Sequence, residues 1–128
     1  MIYLDSSVLL ARLLDEARSP AEAFWRQPFT ASQLLEYEVI NRVLVRPDWS
    51  VRIHTARHML DRVVMVELTP GALIRALAPF PIPVRTLDGL HLATMDFLRL
   101  NGQTVELASY DLRLNAAAQA LGFDLVAL

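Results

Sequence analysis

Short apolar runs recur along this chain, and longer stretches with helical spacing separate them. Residues 2–5, 29–31, 64–68, 104–109 and 124–127 read as strands. Residues 8–17 and 20–26 read as helices, as do a segment from Ser32 to about 45 and one from Ser50 to about 63. Further helices start at the Thr69-Pro70 pair and cover 87–100 and 111–121. Strands that are apolar throughout are covered on both faces, which is the signature of parallel strands joined by crossover helices. The pattern predicts a three-layer α/β/α domain around a central, mainly parallel sheet. The punctuation agrees with it: Ser32, Ser50 and Thr86 suit N-caps, Pro47 stops a helix, and Pro70 suits a first helical position. Asn101-Gly102 and Gly122 suit helix ends, and Pro79, Pro81 and Pro83 make an extended connector.

The chain has 128 residues, which fits one domain over 1–128. With 54% hydrophobic and 20% charged residues it can build a core and does not read as disordered. It holds no apolar run of membrane-spanning length and no leader-like N-terminus. The lack of cysteine excludes disulfides and thiolate metal sites and makes a cytoplasmic location the expectation. The net charge of −2 argues against a passive phosphate-coating protein, so any nucleic-acid contact must be local. All 12 basic residues are arginine, the side chain that pairs bidentately with phosphate and carboxylate.

Within this pattern Asp5 is out of place, set in the apolar run MIYLDSSVLL. An unpaired buried carboxylate is costly. In open α/β sheets, ligands bind beyond the carboxyl ends of the strands. Asp5 falls at the end of the first strand, Asp111 just past 104–109, and Asp88 in the first turn of the helix capped by Thr86. One such aspartate is explained by helix capping. Three at one edge repel and call for a cation. Oxygen ligands without cysteine or a histidine pair suit Mg²⁺ or Mn²⁺, which serve phosphoryl chemistry. A fourth acid is expected from the helix after Ser32, which offers Glu36 and Glu38, ~200° apart around the axis. Periodicity leaves the choice open, with Glu36 nearer the denser stripe of Ile40 and Val43.

The segments MIYLDSSVLL, TASQLLEYEVINRVL, RTLDGLHLAT and ASYDLRLNAAAQALG resemble, in order, the four acidic motifs of the PIN-domain family. More narrowly they resemble the VapC-type ribonuclease toxins of toxin–antitoxin pairs, over nearly the whole chain. The resemblance implies a PIN-like fold and a metal-dependent endoribonuclease that leaves 5′-phosphate and 3′-hydroxyl ends. It implies Asp5, Glu38, Asp88 and Asp111 as catalytic, metal-holding acids; the family's six-residue offset from a hydroxyl residue, here Ser32, favours Glu38. Ser6 and Ser109 stand where the family often has threonine and are the supporting hydroxyls. Asn41–Arg42 departs from the arginine and alanine many relatives carry. The implied partners are RNA, a second copy in a homodimer, and an antitoxin, VapB-like or other, that lays an amphipathic segment in a groove and sends a basic side chain toward the acids.

Arg85 and Arg113, beside Asp88 and Asp111, are the candidate phosphate-binding residues, with charge compensation of the acids equally open. His91 shares a helix face with Asp88 but reads as a packed core residue. His54 and His58 read as solvated, Trp25 and Trp49 as packing, Glu36 as a partner for an arginine, and Asp96, Asp15 and Glu16 as surface. Tyr37, Ile40, Leu44 and Val45 cannot all face one core, so some are expected on the surface, at an interface. Phosphotransfer rivals fit poorly: position 7 is serine where a haloacid-dehalogenase-type phosphatase needs aspartate, a receiver domain needs a lysine, and no glycine-rich phosphate loop exists. The alternative of another class is a PIN-like module that binds RNA or protein without cutting.

Overall fold

The computed structural model describes residues 1–128. Five strands, β1 (Ile2–Leu4), β2 (Phe29–Ser32), β3 (Val63–Val66), β4 (Glu106–Ala108) and β5 (Asp124–Leu125), form one sheet in the order β3-β2-β1-β4-β5. Every pairing is parallel. The helices are α1 (Ser6–Leu13), α2 (Leu34–Leu44), α3 (Trp49–Leu60), α4 (Pro70–Ala76), α5 (Thr86–Leu100) and α6 (Leu112–Ala120). The strand order turns back beside β1: the chain builds outward through β2 to β3, then crosses to β4 on the other side. Crevices that bind ligands open at such a switch point, and Asp5 leaves β1 there.

Burial explains the strands. β1 is buried at every position, and Tyr3, Leu4, Val8, Leu9, Leu35, Val39, Val43, Leu92, Met95 and Leu107 are nearly inaccessible to solvent. α2 buries Leu35, Val39 and Val43, one stripe at four-residue spacing, while Ile40 is half-buried. Tyr37, Leu44 and Val45 are exposed. No helix is long and apolar enough to cross a membrane.

Several element boundaries differ from the sequence expectation for local reasons. α1 ends at Leu13 because Asp15 adopts φ 53°, and the Glu16 amide reaches back to the Ala11 carbonyl, a Schellman stop with aspartate in the usual glycine place. The expected helix over 20–26 is only a 3₁₀ turn, Phe24–Arg26; Gln27 precedes Pro28 and is extended. α3 begins at Trp49, before Ser50, and Asp48 gives its carboxylate to Arg46 and Arg52. α5 starts at Thr86 itself, flanked by Arg85 with no side-chain cap. α4 follows expectation: the Thr69 hydroxyl accepts from the Ala72 amide, and Pro70 opens the helix.

Candidate active site at the carboxyl edge of the sheet

Asp5 is buried directly after β1 and caps α1. Its Oδ2 accepts from the Ser109 hydroxyl at 2.7 Å, from the Ser7 hydroxyl, and from the Ser7 amide at 3.3 Å. Both hydroxyls have their direction fixed from behind. The Tyr110 amide donates to Ser7 Oγ and the Asp111 amide to Ser109 Oγ, each at 2.9 Å, so each hydroxyl proton points to Asp5. This network ties the end of β1 to the loop after β4. Ser7 is a member that the sequence reading passed over; its position two residues after Asp5, as in an Asx or capping turn, was the available signal.

Asp111 caps α6, its Oδ1 accepting from the Arg113 and Leu114 amides at 2.9 and 3.3 Å. Asp88 lies half-buried in the first turn of α5, and no protein donor reaches its carboxylate. Burial, then the charge of Asp111 and of Asp5, push the Asp88 carboxyl above the ordinary aspartate value; Glu38 adds to this and His91 opposes it. The four acids therefore share one electrostatic neighbourhood. No three histidine or acidic side chains close into a metal-sized cage on their own.

Glu38 flanks the Leu35–Val39–Val43 stripe and turns toward β1. Its Oε2 accepts from Ser6 Oγ at 3.4 Å, and its Oε1 meets His91 Nε2. Glu36 is exposed and pairs with Arg57 at 3.7 Å. Periodicity left Glu36 and Glu38 open, with Glu36 nearer Ile40 and Val43; the buried stripe keeps Val43 but runs through Val39, and Ile40 is only half-buried. His91 is buried as expected, and it also touches Glu38 and Tyr3. Tyr3 is wholly buried, and that burial raises its phenol pKa strongly.

Arg85 and Arg113 form no ion pair with Asp88, Asp111 or any other acid; they line, with Asp88, a groove of about 540 Å³ between the start of α5 and α6. A larger hollow of about 800 Å³ around Arg12, Trp25 and Arg62 contains none of the four acids. Asp96, expected at the surface, is buried between Arg75 of α4 and Arg99. Six acids are not exposed: Asp5, Glu38, Asp48, Asp88, Asp96 and Asp111. Asp48 and Asp96 each hold two arginines, whereas the other four hold none.

That donor set fits a hard divalent cation. Asp5 Oδ1, Asp111 Oδ2 and both oxygens of Asp88 have no protein donor, and every candidate ligand atom is oxygen.

Known proteins resemble this chain along nearly its whole length. The family model described as PIN domain matches residues 2–126. The chain is 33% identical over 135 residues to Ribonuclease VapC35 of Mycobacterium tuberculosis, covering 99% of this chain and 96% of the relative. It is 31% identical over 129 residues to Ribonuclease VapC46 of the same organism, covering 98% and 96%. A solved structure described as a toxin-antitoxin complex from Klebsiella pneumoniae superposes with a TM-score of 0.68 at 16% identity, over 99% of this chain and 97% of that one. At that identity the likeness concerns the fold.

Proposed function

This chain belongs to the PIN-domain family, and on that premise we propose that it is a metal-dependent endoribonuclease, the toxin of a type II toxin–antitoxin pair. The observation that carries the reading is the uncompensated carboxylate edge: in a chain with 12 arginines, the four non-exposed acids without an arginine partner are Asp5, Glu38, Asp88 and Asp111. These four would hold Mg²⁺ or Mn²⁺. A divalent ion held by them would supply Lewis-acid chemistry, stabilising charge on a phosphoryl oxygen and making a water easier to deprotonate.

The chain's own residues supply orientation. Ser7 and Ser109 engage Oδ2 of Asp5 and leave Oδ1 free of protein donors, so that it would be the oxygen offered to an ion. The start of α6 engages Oδ1 of Asp111 and leaves Oδ2. Ser6 steadies Glu38 from β1's side. Arg85 and Arg113, free of acidic partners and lining one groove with Asp88, are suited to grip the RNA phosphates flanking the scissile bond. Local placement of these cations reconciles RNA binding with a net charge of −2.

Two protein partners belong to the proposal. Tyr37, Leu44 and Val45 of the α2 end, with Trp49 and Val51 of α3, leave apolar surface uncovered. A second copy would cover part of it, and an amphipathic antitoxin segment would lie in the remaining groove, its basic side chain neutralising the acids. The cytoplasm, where RNA and an antitoxin meet, is the expected location.

Purified protein incubated with single-stranded RNA is the test. Internal cleavage that needs Mg²⁺ or Mn²⁺, stops with EDTA and leaves 5′-phosphate ends is expected. RNA binding without cleavage, under any divalent ion, would instead identify a non-cutting PIN-like module. Light scattering at micromolar concentration is expected to give a dimer; a monodisperse monomer would remove the homodimer from the proposal.

A further inference from the structure

Behind the acids lies a hydrogen-bonded chain that runs from Ser32 through Tyr3 and His91 to Glu38. The Ser32 amide, at the end of β2, donates to the Tyr3 hydroxyl at 3.0 Å. A backbone amide only donates, so Tyr3 Oη accepts there and keeps its one proton for another partner. His91 Nδ1, 2.8 Å away, is placed to accept it. With Nδ1 accepting, a neutral imidazole carries its proton on Nε2, the atom that meets Glu38 Oε1. Tyr3 and His91 are 0% and 1% exposed, and their rings meet edge to face at 5.9 Å, so packing locks both orientations.

Glu38 needs such a support more than Asp5 or Asp111 does. Those two are each held by backbone amides two or three residues further along. No local amide reaches Glu38, and its other donor, Ser6 Oγ, is at 3.4 Å. A half-buried glutamate on a helix has free rotamers that lead to solvent, and ordering one costs side-chain entropy. From this geometry we propose that Tyr3 and His91 are positioning residues for Glu38. The backbone of β2, acting through Tyr3, fixes His91 as the Nε2–H tautomer, and His91 holds Glu38 toward the other three acids. The proposal rests on the metal site of the proposed function, where Glu38 is a ligand; outer-shell partners of this kind typically contribute ~10–100-fold to metal affinity.

Two measurements on the metal-free chain test it without any RNA. Long-range ¹H–¹⁵N correlation of the imidazoles, with the His91 signals assigned by their loss in His91→Gln, reads the tautomer directly. A single Nε2–H form is expected, and its loss in Tyr3→Phe; a proton on Nδ1, or averaging of the two tautomers in the wild type, would overturn the proposal. Mn²⁺ titration by calorimetry is the second. His91→Leu is expected to weaken binding about tenfold, and His91→Gln, whose amide can reach Glu38, to recover most of it. His91→Leu that is folded by circular dichroism and binds Mn²⁺ like the wild type would overturn the proposal. Tyr3→Phe, which deletes one oxygen, serves if His91→Leu does not fold: a severalfold loss of Mn²⁺ affinity supports the relay, and unchanged affinity overturns it. The expected tautomer together with a Glu38→Gln variant of unchanged Mn²⁺ affinity would fall on the metal site of the proposed function, while the Tyr3–His91 arrangement itself would stand.

Discussion

Asp5 and Asp96 are both buried aspartates, and their surroundings are opposite. Asp96 sits on α5 with Arg75 Nε at 2.8 Å and the guanidinium of Arg99 on its other oxygen. Burial alone raises its pKa, but the two arginines outweigh it and hold the carboxyl below the ordinary value. Asp5 receives hydroxyls and an amide but no cation, and it adds its charge to that of Asp111 in raising Asp88. One region is an ion pair completed by the chain, joining α4 to α5. The other is left short of positive charge. Breaking a buried pair that the chain completes costs stability, whereas ionisable groups perturbed by burial and by like charges in a cleft are candidates for function.

The sharpest way to break this contrast is substitution at the incomplete edge. Asp5→Asn and Asp88→Asn are each expected to lower RNA cleavage by at least a hundredfold, beyond the ~10–100-fold typical of outer-shell changes. Circular dichroism should be unchanged, because the amide oxygen of asparagine can still accept from Ser7 and Ser109. Full activity in both variants would remove the catalytic assignment. At the completed site the effect is on stability. Asp96→Ala is expected to cost about 2–3 kcal/mol in urea unfolding, at or just below what breaking a fully buried pair costs, because Arg75 and Arg99 are partly exposed. Cleavage per folded molecule should persist. A loss within error would mean that the pair contributes no more than a surface bridge.

The smallest expected effect is in the pH dependence, and its sign separates the two regions. Asp96 has a lowered folded-state pKa, so its contribution is present above the unfolded aspartate value of about 3.9 and is lost as pH falls through the lower folded value. Asp88 has a raised folded-state pKa, so its ionisation opposes folding of the metal-free chain at neutral pH. Protonating it on acidification, from above its folded value down to about 3.9, should add stability. Asp88→Asn should therefore be slightly more stable than wild type at pH 7 without metal, and denaturant melts across pH 3–7 should show the wild type catching up as the pH drops. A destabilised Asp88→Asn at pH 7 would contradict the repulsion.

Much of the sheet edge was legible because strand ends and helix caps have local signals. Asp5 followed an apolar run, and Asp111 stood between a strand and a helix. Overreach came where local signals were hidden. Asp15 stops α1 in a conformation usually given to glycine, and Pro28 extends Gln27 after a single turn. Glu38 could not be separated from Glu36 by periodicity, because apolar residues surround α2 and the buried stripe depends on what α2 packs against. Asp96 was misread because Arg75 lies 21 residues away, although Arg99 at three residues was a visible hint. The Tyr3–His91–Glu38 chain bridges separations of 88 and 53 residues and leaves no local trace.

The central claim is that Asp5, Glu38, Asp88 and Asp111 form a site for a divalent ion. Thermal unfolding of the purified chain against Mn²⁺ concentration reads that claim without assuming a substrate, since a ligand bound only by the folded state raises the melting temperature, by an amount that grows with the logarithm of its concentration over Kd. The wild type and Asp96→Asn should both gain stability with Mn²⁺, while Asp5→Asn and Asp88→Asn should gain little. Equal Mn²⁺ stabilisation of all four proteins, or none in the wild type, would contradict it.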